Sequence, residues 1–158
     1  MDVTTRFATK ADLDFARRAH HAAYRDVVIR QWGQWDQGMQ DGFFDKEWGD
    51  AHFDVILAGG AACGYLSVED RVDAVHVMEL VLCPEYQGRG IGTIVLRSVI
   101  VRAIERGKPV RLRTCHENHR AQSFYRRLGF REIGRDETHV LMERGDSSRS
   151  SGDAVPHS

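Results

Sequence analysis

The pattern of hydrophobic and polar positions predicts alternating strands and helices along most of the chain. Residues 75–82 are apolar except for His76 and Glu79 and are rich in β-branched types, which predicts a central strand buried on both faces. A proline shortly afterwards ends this strand, because proline cannot donate to a sheet ladder. Apolar residues then recur at helical spacing from position 93 to 104, before a glycine that is typical of a helix end.

The same pattern predicts further elements on both sides of this segment. Before it we expect a strand at residues 3–7, helices at 11–29 and 36–47, and strands at 52–57 and 62–69. After the central helix we expect a strand at 110–115, a helix at 118–128, and strands at 131–133 and 138–142. These elements predict a single domain over residues 1–144, and the Ser-, Gly- and Asp-containing residues 145–158 predict a disordered tail.

Composition and charge exclude several classes of protein. The 158 residues carry a net charge of −1, with 42% hydrophobic and 28% charged residues, as in a globular protein without a broad nucleic-acid or anionic-membrane surface. The N-terminal residues do not resemble a signal peptide, and no apolar run approaches the ~20 residues of a membrane span. Three widely spaced cysteines without a Cys-x-x-Cys motif predict reduced thiols in a cytoplasmic protein.

The placement of histidine and cysteine argues against two kinds of site. The eight histidines form no cluster with metal-ligand spacing, so no metal site is predicted. The adjacent His20 and His21 are expected to point in different directions. A cysteine nucleophile is not expected either, because no cysteine has a histidine partner at motif spacing.

Three glycines at alternate positions, Gly88, Gly90 and Gly92, join the central strand to the helix that follows. The first N–H groups of a helix have no partner within it, and the helix dipole places partial positive charge there. Glycine lets an anion approach the backbone closely. This arrangement predicts a phosphate or pyrophosphate ligand around residues 87–93, and the alternative is a glycine turn without a ligand.

Two familiar phosphate loops do not match this segment, so a nucleotide-binding domain of another class is the weaker hypothesis. A Walker loop needs a lysine after its last glycine, and a dinucleotide loop needs a glycine where Thr93 stands, with an acidic residue about 20 positions later. In contrast, Gln87-x-x-Gly90-x-Gly92 resembles the coenzyme A loop of the GNAT superfamily of N-acetyltransferases. The preceding Leu80-x-Leu82-x-Pro84-Glu85-Tyr86 is similar to the same family.

A second motif lies one predicted strand after the glycine loop and its helix. The segment Asn118-x-x-Ala121-x-x-Phe124-Tyr125-x-x-x-Gly129-Phe130 resembles the other sequence hallmark of the GNAT superfamily. The resemblance implies a mixed, mostly antiparallel sheet of six to seven strands with a central parallel splayed pair and about four flanking helices. It also implies acetyl transfer from acetyl-coenzyme A to a primary amine of a small molecule or peptide, by direct attack in a ternary complex.

The resemblance leaves two broader points open. A non-catalytic module that binds or senses coenzyme A on the same fold is the alternative function. A homodimer is possible, because members of the family often dimerise. No metal is implied, and acetyl-coenzyme A acts as a co-substrate.

The resemblance also implies which residues contact coenzyme A. Tyr125 matches a tyrosine that acts as general acid toward the departing thiolate, although it could also be a core aromatic residue. Asn118 matches an asparagine that contacts the cofactor, and it is equally a good helix N-cap. A main-chain N–H near Val81 or Leu82 would stabilise the oxyanion. The expected cofactor-binding residues are Leu80, Val81, Leu82, Gln87, Gly88, Arg89, Gly90, Ile91, Gly92, Thr93, Asn118 and Tyr125.

The general base is expected on the central strand. Glu79 and His76 are three positions apart and therefore face opposite sides of a regular strand. We favour Glu79, because it is nearest the reacting carbon and a carboxylate also attracts a cation. His76 falls where several family members carry a base, and a chain of water molecules or two structural polar groups are the alternatives.

Aromatic and acidic residues before the first hairpin are candidates for the acceptor site. An amine substrate is usually a cation, which aromatic faces and nearby acidic residues would attract. The acidic residues of this segment are Asp36, Asp41, Asp45 and Glu47. The resemblance implies that the first two helices shape the acceptor pocket, although the aromatic residues could simply cover the sheet. The acceptor candidates are Tyr24, Trp32, Trp35 and Asp36.

Overall fold

A computed structural model describes residues 2–145, so the predicted tail lies outside the described residues apart from Gly145. The first half of the chain forms β1 (Val3–Phe7), α1 (Leu13–Trp32), α2 (Gln37–Asp50), β2 (Asp54–Ala58) and β3 (Ala61–Asp70). The second half forms β4 (Val75–Leu82), α3 (Ile91–Glu105), β5 (Val110–Cys115), α4 (His119–Arg127), β6 (Arg131–Arg135) and β7 (His139–Arg144). Short 3-10 turns lie at Lys10–Asp12 and Pro84–Tyr86.

The seven strands form one mixed sheet in the order β1-β2-β3-β4-β5-β7-β6. β4 and β5 are parallel, whereas β1 with β2, β2 with β3, β5 with β7, and β6 with β7 are antiparallel. The parallel ladder runs only from Val75↔Val110 to Val77↔Leu112, although both strands continue beyond it. The predicted fold class, a mixed sheet with a central parallel splayed pair and four helices, is therefore confirmed.

The chain divides into two compact units, and the first contains residues up to Val68 together with Met78–Val95. Its α1 ends where Gly33 adopts a left-handed backbone with φ of 85°, and α2 begins where Asp36 accepts a hydrogen bond from Met39 N at 2.9 Å. Both helices end three residues later than predicted. The buried cluster at the centre of this unit consists of Ala16, Ala19, Phe44, Phe53, Tyr65 and Val81.

The second unit contains Glu69–Val77 and the chain from Leu96 onwards. It holds the parallel ladder and the three-stranded arrangement of β5, β7 and β6. Gln122, buried on α4, donates to the carbonyl oxygens of Cys115 and His116 at 3.1 and 2.9 Å, and so fixes the helix to the end of β5. After α4, Gly129 adopts φ of 92°, as a residue that ends a helix often does.

The two faces of β4 differ in burial, so the prediction of a strand buried on both faces was wrong. Val75, Val77 and Val81 on one face are buried. On the other face Met78 is 43% exposed. A largely apolar segment indicates a strand of the sheet, but it does not show that protein covers both of its faces.

Two absences apply to the described residues 2–145. No helix among them is long and apolar enough to cross a membrane. Within the same residues no group of three or more His, Cys, Asp and Glu side chains is arranged to hold a metal ion.

Candidate functional site

The glycine loop that follows β4 has a backbone that only glycine adopts without strain at two of its positions. Gly88 has φ of 75° and Gly90 has φ of 83°, both in the left-handed region. The side chain of Gln87 donates from Nε2 to the carbonyl oxygen of Leu82 at 3.0 Å, which ties the loop to the end of β4. Sequence and local geometry therefore agree on a tight loop held against its strand.

The start of α3 presents main-chain donors behind this loop. The first helical bond joins Ile94 N–H to the carbonyl oxygen of Gly90 at 3.1 Å. The N–H groups of Ile91, Gly92 and Thr93 precede that bond and have no partner one turn earlier in the helix. Such groups, together with the helix dipole, suit an anionic phosphate.

The end of β4 is held at a fixed distance from β3. A Cβ added at Gly64 would overlap the carbonyl oxygen of Val81, so only glycine permits this approach. The N–H of Cys83 donates to the carbonyl oxygen of Cys63 at 2.9 Å just beyond it. Because the ladder to β5 ends at Val77, the main chain of residues 78–82 lies beyond the parallel ladder, where an extended ligand can hydrogen-bond it.

Glu79 is the partly buried carboxylate of β4 in the first unit. Tyr24 Oη donates to its Oε1 at 3.4 Å, a long hydrogen bond. Burial and, next, the negative charge of Glu47 raise the pKa of Glu79 to about 8, with the Tyr24 hydrogen bond acting in the opposite direction. A carboxylate with this pKa can accept a proton near neutral pH and release it again.

Glu47 and Tyr65 lie in the electrostatic neighbourhood of Glu79, and we call these three residues the acidic cluster. Burial raises the pKa of Glu47. Burial also raises the pKa of Tyr65 well above its ordinary value, with Glu79 as the next largest cause. The phenol oxygen of Tyr65 is buried and has no hydrogen-bond partner among residues 2–145.

His76, the other candidate base, lies in the part of β4 that belongs to the second unit. Its Nδ1 is 3.4 Å from Nη1 of Arg71. Burial and then the charge of Arg71 lower the pKa of His76, so it stays neutral at physiological pH. The acceptor candidate Tyr24 contacts the other candidate base, Glu79.

The other acceptor candidates have different surroundings. Asp36 serves as the N-cap of α2, and Trp32 is 50% exposed at the end of α1. Trp35 donates from Nε1 to Gln37 at 2.9 Å, and its ring lies 5.0 Å from the ring of His21. Of the four candidates, only Tyr24 has a recorded contact with Glu79 in the described chain.

The adjacent histidines do not diverge as expected. His20 Nδ1 and His21 Nδ1 are 2.9 Å apart, and His21 Nε2 lies 2.6 Å from Oδ1 of Asp41. The expectation was wrong because ring rotation about χ1 and χ2 brings neighbouring imidazoles together on a helix surface. Burial and then His21 lower the pKa of His20 to about 4, so His20 is neutral.

The second unit holds the two residues of the other motif. Tyr125 is 9% exposed on α4, with ring centroids 5.4 Å from Phe124 and 5.7 Å from Phe130. Asn118 accepts a hydrogen bond from Ala121 N at 3.2 Å, so the N-cap role predicted for it is confirmed. Its cofactor contact stays a prediction. Gln122, which sequence reasoning missed, is the buried polar residue that positions this helix.

One cysteine does lie near a histidine. Cys115 Sγ is 3.7 Å from His139 Nε2, a contact that joins two antiparallel strands and that sequence spacing does not reveal. In the first unit, burial raises the pKa of Cys63 to about 11 and also raises the pKa of Cys83. These two thiols are therefore protonated and poor nucleophiles.

Comparison with known proteins gives a consistent result. A sequence model of the "Acetyltransferase (GNAT) family" matches residues 14–130. An uncharacterized N-acetyltransferase of Methanocaldococcus jannaschii is 31% identical over an alignment of 140 residues, and this alignment covers 82% of this chain and 61% of that protein. The chain thus spans about three fifths of the length of this relative.

Solved structures show the same fold at low identity. PaiA N-acetyltransferase from Thermoplasma acidophilum, solved in complex with coenzyme A, has a TM-score of 0.75 at 17% identity and covers 92% of this chain and 99% of that one. The ribosomal-protein-S18-alanine N-acetyltransferase from Escherichia coli has a TM-score of 0.62 at 18% identity, over 92% and 95% of the two chains. By fold, and by a sequence match over most of its length, this chain belongs to the GNAT family of acetyltransferases.

Proposed function

We propose that the protein is an N-acetyltransferase that moves an acetyl group from acetyl-coenzyme A to a primary amine of a small molecule or peptide. The observation that carries this proposal is Glu79, a partly buried carboxylate whose pKa is raised to about 8 and which lies on the strand that leads into the glycine loop. An alkylammonium must lose a proton before it can attack, and it starts from a pKa of about 10. A base that titrates near neutrality suits that task.

The glycine loop supplies the binding groups for the acetyl donor. Gly88 and Gly90 leave room for a diphosphate, and the N–H groups of Ile91, Gly92 and Thr93 can donate to it. The main chain of residues 80–82 can bind the arm that bears the thioester, and Arg89 lies at the exposed tip of the loop. The donor itself supplies an activated acetyl group and a thiolate leaving group.

In this proposal, different residues accept the proton of the amine and donate a proton to the thiolate. Glu79 takes the proton that the ammonium releases, and a main-chain N–H near Val81 or Leu82 stabilises the negative oxygen that forms during attack, by a few kcal/mol. Tyr125 returns a proton to the departing sulfur. Asn118 is assigned a contact to the donor beside its role as helix cap.

Direct attack, without an acetyl-cysteine intermediate, is part of the proposal. The raised pKa values of Cys63 and Cys83 support it, because a protonated thiol is a weak nucleophile. Cys115, with its histidine neighbour, is the residue to test. Direct attack predicts that Cys115→Ser retains turnover, and a complete loss of turnover with intact coenzyme A binding would instead favour a covalent route.

Calorimetry with coenzyme A and a thiol-release assay with a panel of primary amines test the function. We expect Gly90→Ala to lower the affinity for coenzyme A at least about tenfold, because a Cβ strains the loop and stands where the diphosphate approaches. Gly60→Ala is the matched control, because Gly60 has φ of 85° and an equally open surrounding in a hairpin turn. Equal affinities in the two variants would contradict this binding site.

The same assays distinguish the enzyme from the alternative function. A non-catalytic module that binds or senses coenzyme A would be stabilised by acetyl-coenzyme A but would release no thiol with any amine of the panel. Stabilisation by ATP or NAD, and none by coenzyme A, would reject both functions.

A further inference from the structure

Cys115 and His139 form a thiol–imidazole pair that the proposed acetyl transfer does not use. They are directly opposite each other in the antiparallel ladder of β5 and β7, so their side chains lie on the same face of the sheet. Cys115 Sγ is 3.7 Å from His139 Nε2, within reach of a hydrogen bond to sulfur. Both residues are partly exposed, so neither is enclosed in the core.

The ring of His139 is oriented by a third residue. Its Nδ1 is 2.7 Å from Oγ1 of Thr138, and this hydroxyl donates to Oδ1 of Asp136 at 3.3 Å. A hydroxyl whose hydrogen points to a carboxylate accepts from the imidazole, so Nδ1 carries the ring hydrogen and Nε2 presents its lone pair to the thiol. The same oxygen of Asp136 accepts from the N–H groups of Thr138 and His139 at 2.9 and 2.7 Å, which fixes the carboxylate.

The groups that act on His139 come from β5, the segment after it and the turn before β7. Burial lowers the pKa of His139 most, followed by the positive charge of Arg113, whereas Asp136 raises it and His116 lowers it. Arg113 pairs with Asp136 at 2.7 Å, and His116 Nε2 lies 2.8 Å from the carbonyl oxygen of Asp136. The imidazole is therefore neutral at physiological pH and can take a proton from the thiol.

The other two thiols provide a contrast within the same chain. Cys63 is buried, and burial raises its pKa to about 11. Burial is also the main cause that raises the pKa of Cys83. Because the thiolate is the reactive form of cysteine, both should react slowly near neutral pH. Cys115 is the cysteine that combines partial exposure with a base in contact.

We propose that Cys115 is a thiol that His139 activates for exchange with low-molecular-weight disulfides, so that the end of β5 is a site of reversible modification. The nucleophile, the base within hydrogen-bond reach and the third group that orients the base form the pattern of an activated nucleophile. A disulfide is the matching electrophile, because a thiolate attacks its sulfur directly and no oxyanion needs to be stabilised. The inference does not depend on the proposed acetyl transfer.

The exchange balances with these two residues and the disulfide alone. The S–H proton of Cys115 moves to Nε2 of His139, the thiolate forms a bond to one sulfur of the small disulfide, and the bond between its two sulfurs breaks. The departing thiolate takes the proton from His139 and leaves as a thiol. Cys115 is oxidised while one half of the small disulfide is reduced, so no further reagent is needed.

The test incubates the full chain with 2-hydroxyethyl disulfide, which is small and uncharged, and follows the reaction by intact-protein mass spectrometry. At pH 7 we expect one mercaptoethanol adduct, which peptide mapping places on Cys115 and which dithiothreitol removes. Cys115→Ser should not form this adduct in the time that the wild type needs. No adduct on Cys115, or faster addition to Cys63 or Cys83, would overturn the inference.

Replacing the base tests the role of the imidazole. His139→Gln should slow the addition to Cys115 at least about tenfold at pH 7, because only a few per cent of an unassisted thiol with a pKa of about 8.5 is ionised there. Its rate should rise about tenfold from pH 7 to 8, and the wild-type rate should rise much less. His119→Gln is the matched control, since His119 is an exposed histidine beside Glu117, and it should react like the wild type.

Thr138 is a positioning residue, and a pair of variants tests it. Thr138→Val should slow the addition about threefold or more, because the two ring nitrogens of His139 then compete for the hydrogen. Thr138→Ser restores the hydroxyl and should react like the wild type, with the wild-type pH profile. A His139→Gln variant that melts like the wild type and reacts equally fast would contradict the inference. If His139→Gln melts well below the wild type, the Thr138 pair decides, and equal rates in its two members would be the contradicting result.

Discussion

Carboxylates differ in their ion pairing between two regions of the molecule. In the second unit Asp70 pairs with Arg106 and, at 2.7 Å, with Lys108, and Arg111 pairs with Asp73 and Glu143, each at 2.8 Å. In the first unit the two carboxylates of the acidic cluster form no such pair among the described residues. The paired groups stabilise or solubilise the surface, whereas the unpaired ones are less stable than a hydrophobic replacement would be. This contrast supports the role of proton acceptor that we propose for Glu79.

The largest effect should follow from removing the carboxylate that acts as base. We expect Glu79→Gln to lower kcat/KM for a primary amine about 10²- to 10⁴-fold, the usual contribution of a general base. Its affinity for coenzyme A should not change. Glu69→Gln is the control, because Glu69 is an exposed glutamate of β3 that pairs with Arg71. Steady-state thiol release measures both variants, and a fall below tenfold would place the base elsewhere.

The next effect concerns the second unit, where Tyr125 is buried among aromatic residues. We expect Tyr125→Phe to lower kcat about 10- to 100-fold, because the thiolate would leave without its proton donor. Coenzyme A affinity, measured by calorimetry, should stay within about twofold. An unchanged kcat would show that Tyr125 is a core residue only. The second unit would then contain no residue with a proposed catalytic role.

A third effect is on stability and depends on pH. Glu79 has an ordinary pKa of 4.5 and a pKa of about 8 in the folded chain, so the folded state holds this proton more tightly than the unfolded state. Glu79 therefore costs stability as pH rises from 4.5 to about 8, by up to about 1.4 kcal/mol for each pKa unit. Glu79→Gln should be more thermostable than wild type at pH 8, with the Tm difference shrinking toward pH 5.

Calorimetric unfolding at several pH values measures this difference. Glu47→Gln should show the same trend with a smaller amplitude, because it removes only one of the causes that raise the pKa of Glu79. A Tm difference that is independent of pH would show that Glu79 is ionised in the free protein and that the acidic cluster has no unfavourable charge.

The smallest effect should come from the paired region. Asp70→Asn breaks ion pairs with Arg106 and Lys108, but surface pairs contribute only about 0–1 kcal/mol. We expect a small decrease in the free energy of unfolding, measured with urea, and no change in kcat/KM. A loss of several kcal/mol would mean that the paired region is as sensitive to charge as the acidic cluster.

Much of the fold followed from local sequence. The bounds of β4 and β5 agree with the predicted residues 75–82 and 110–115, because Pro84 and Pro109 lie just outside these strands and limit them physically. The burial of β4 did not follow, because the apolar run has no signal for which face a protein layer covers. The helix α1 extends to Trp32 because the glycine cap at Gly33, rather than the end of the apolar stripe, ends it. The helix α2 extends past its predicted end, where Trp48 packs against the buried cluster.

Site residues could be predicted from sequence where the backbone conformation requires a particular residue type. They could not be predicted where side chains that are distant in the sequence interact. Gly88 and Gly90 were identified from sequence because their positive φ angles require glycine. The negative charge of Glu47 on α2 raises the pKa of Glu79 on β4, and no spacing rule in the sequence connects these two residues. One signal was present: Glu47 falls between Phe44 and Trp48 on the apolar side of its helix, where a charged residue is unusual.

The unpaired phenol of Tyr65 has a practical consequence for engineering. Replacing it with phenylalanine removes a buried oxygen that has no hydrogen-bond partner among residues 2–145, so Tyr65→Phe should raise the melting temperature of the ligand-free protein. A laboratory selection for heat resistance alone would therefore favour this substitution, whatever its effect on turnover. Selections on this scaffold should score turnover at low amine concentration together with survival of heating.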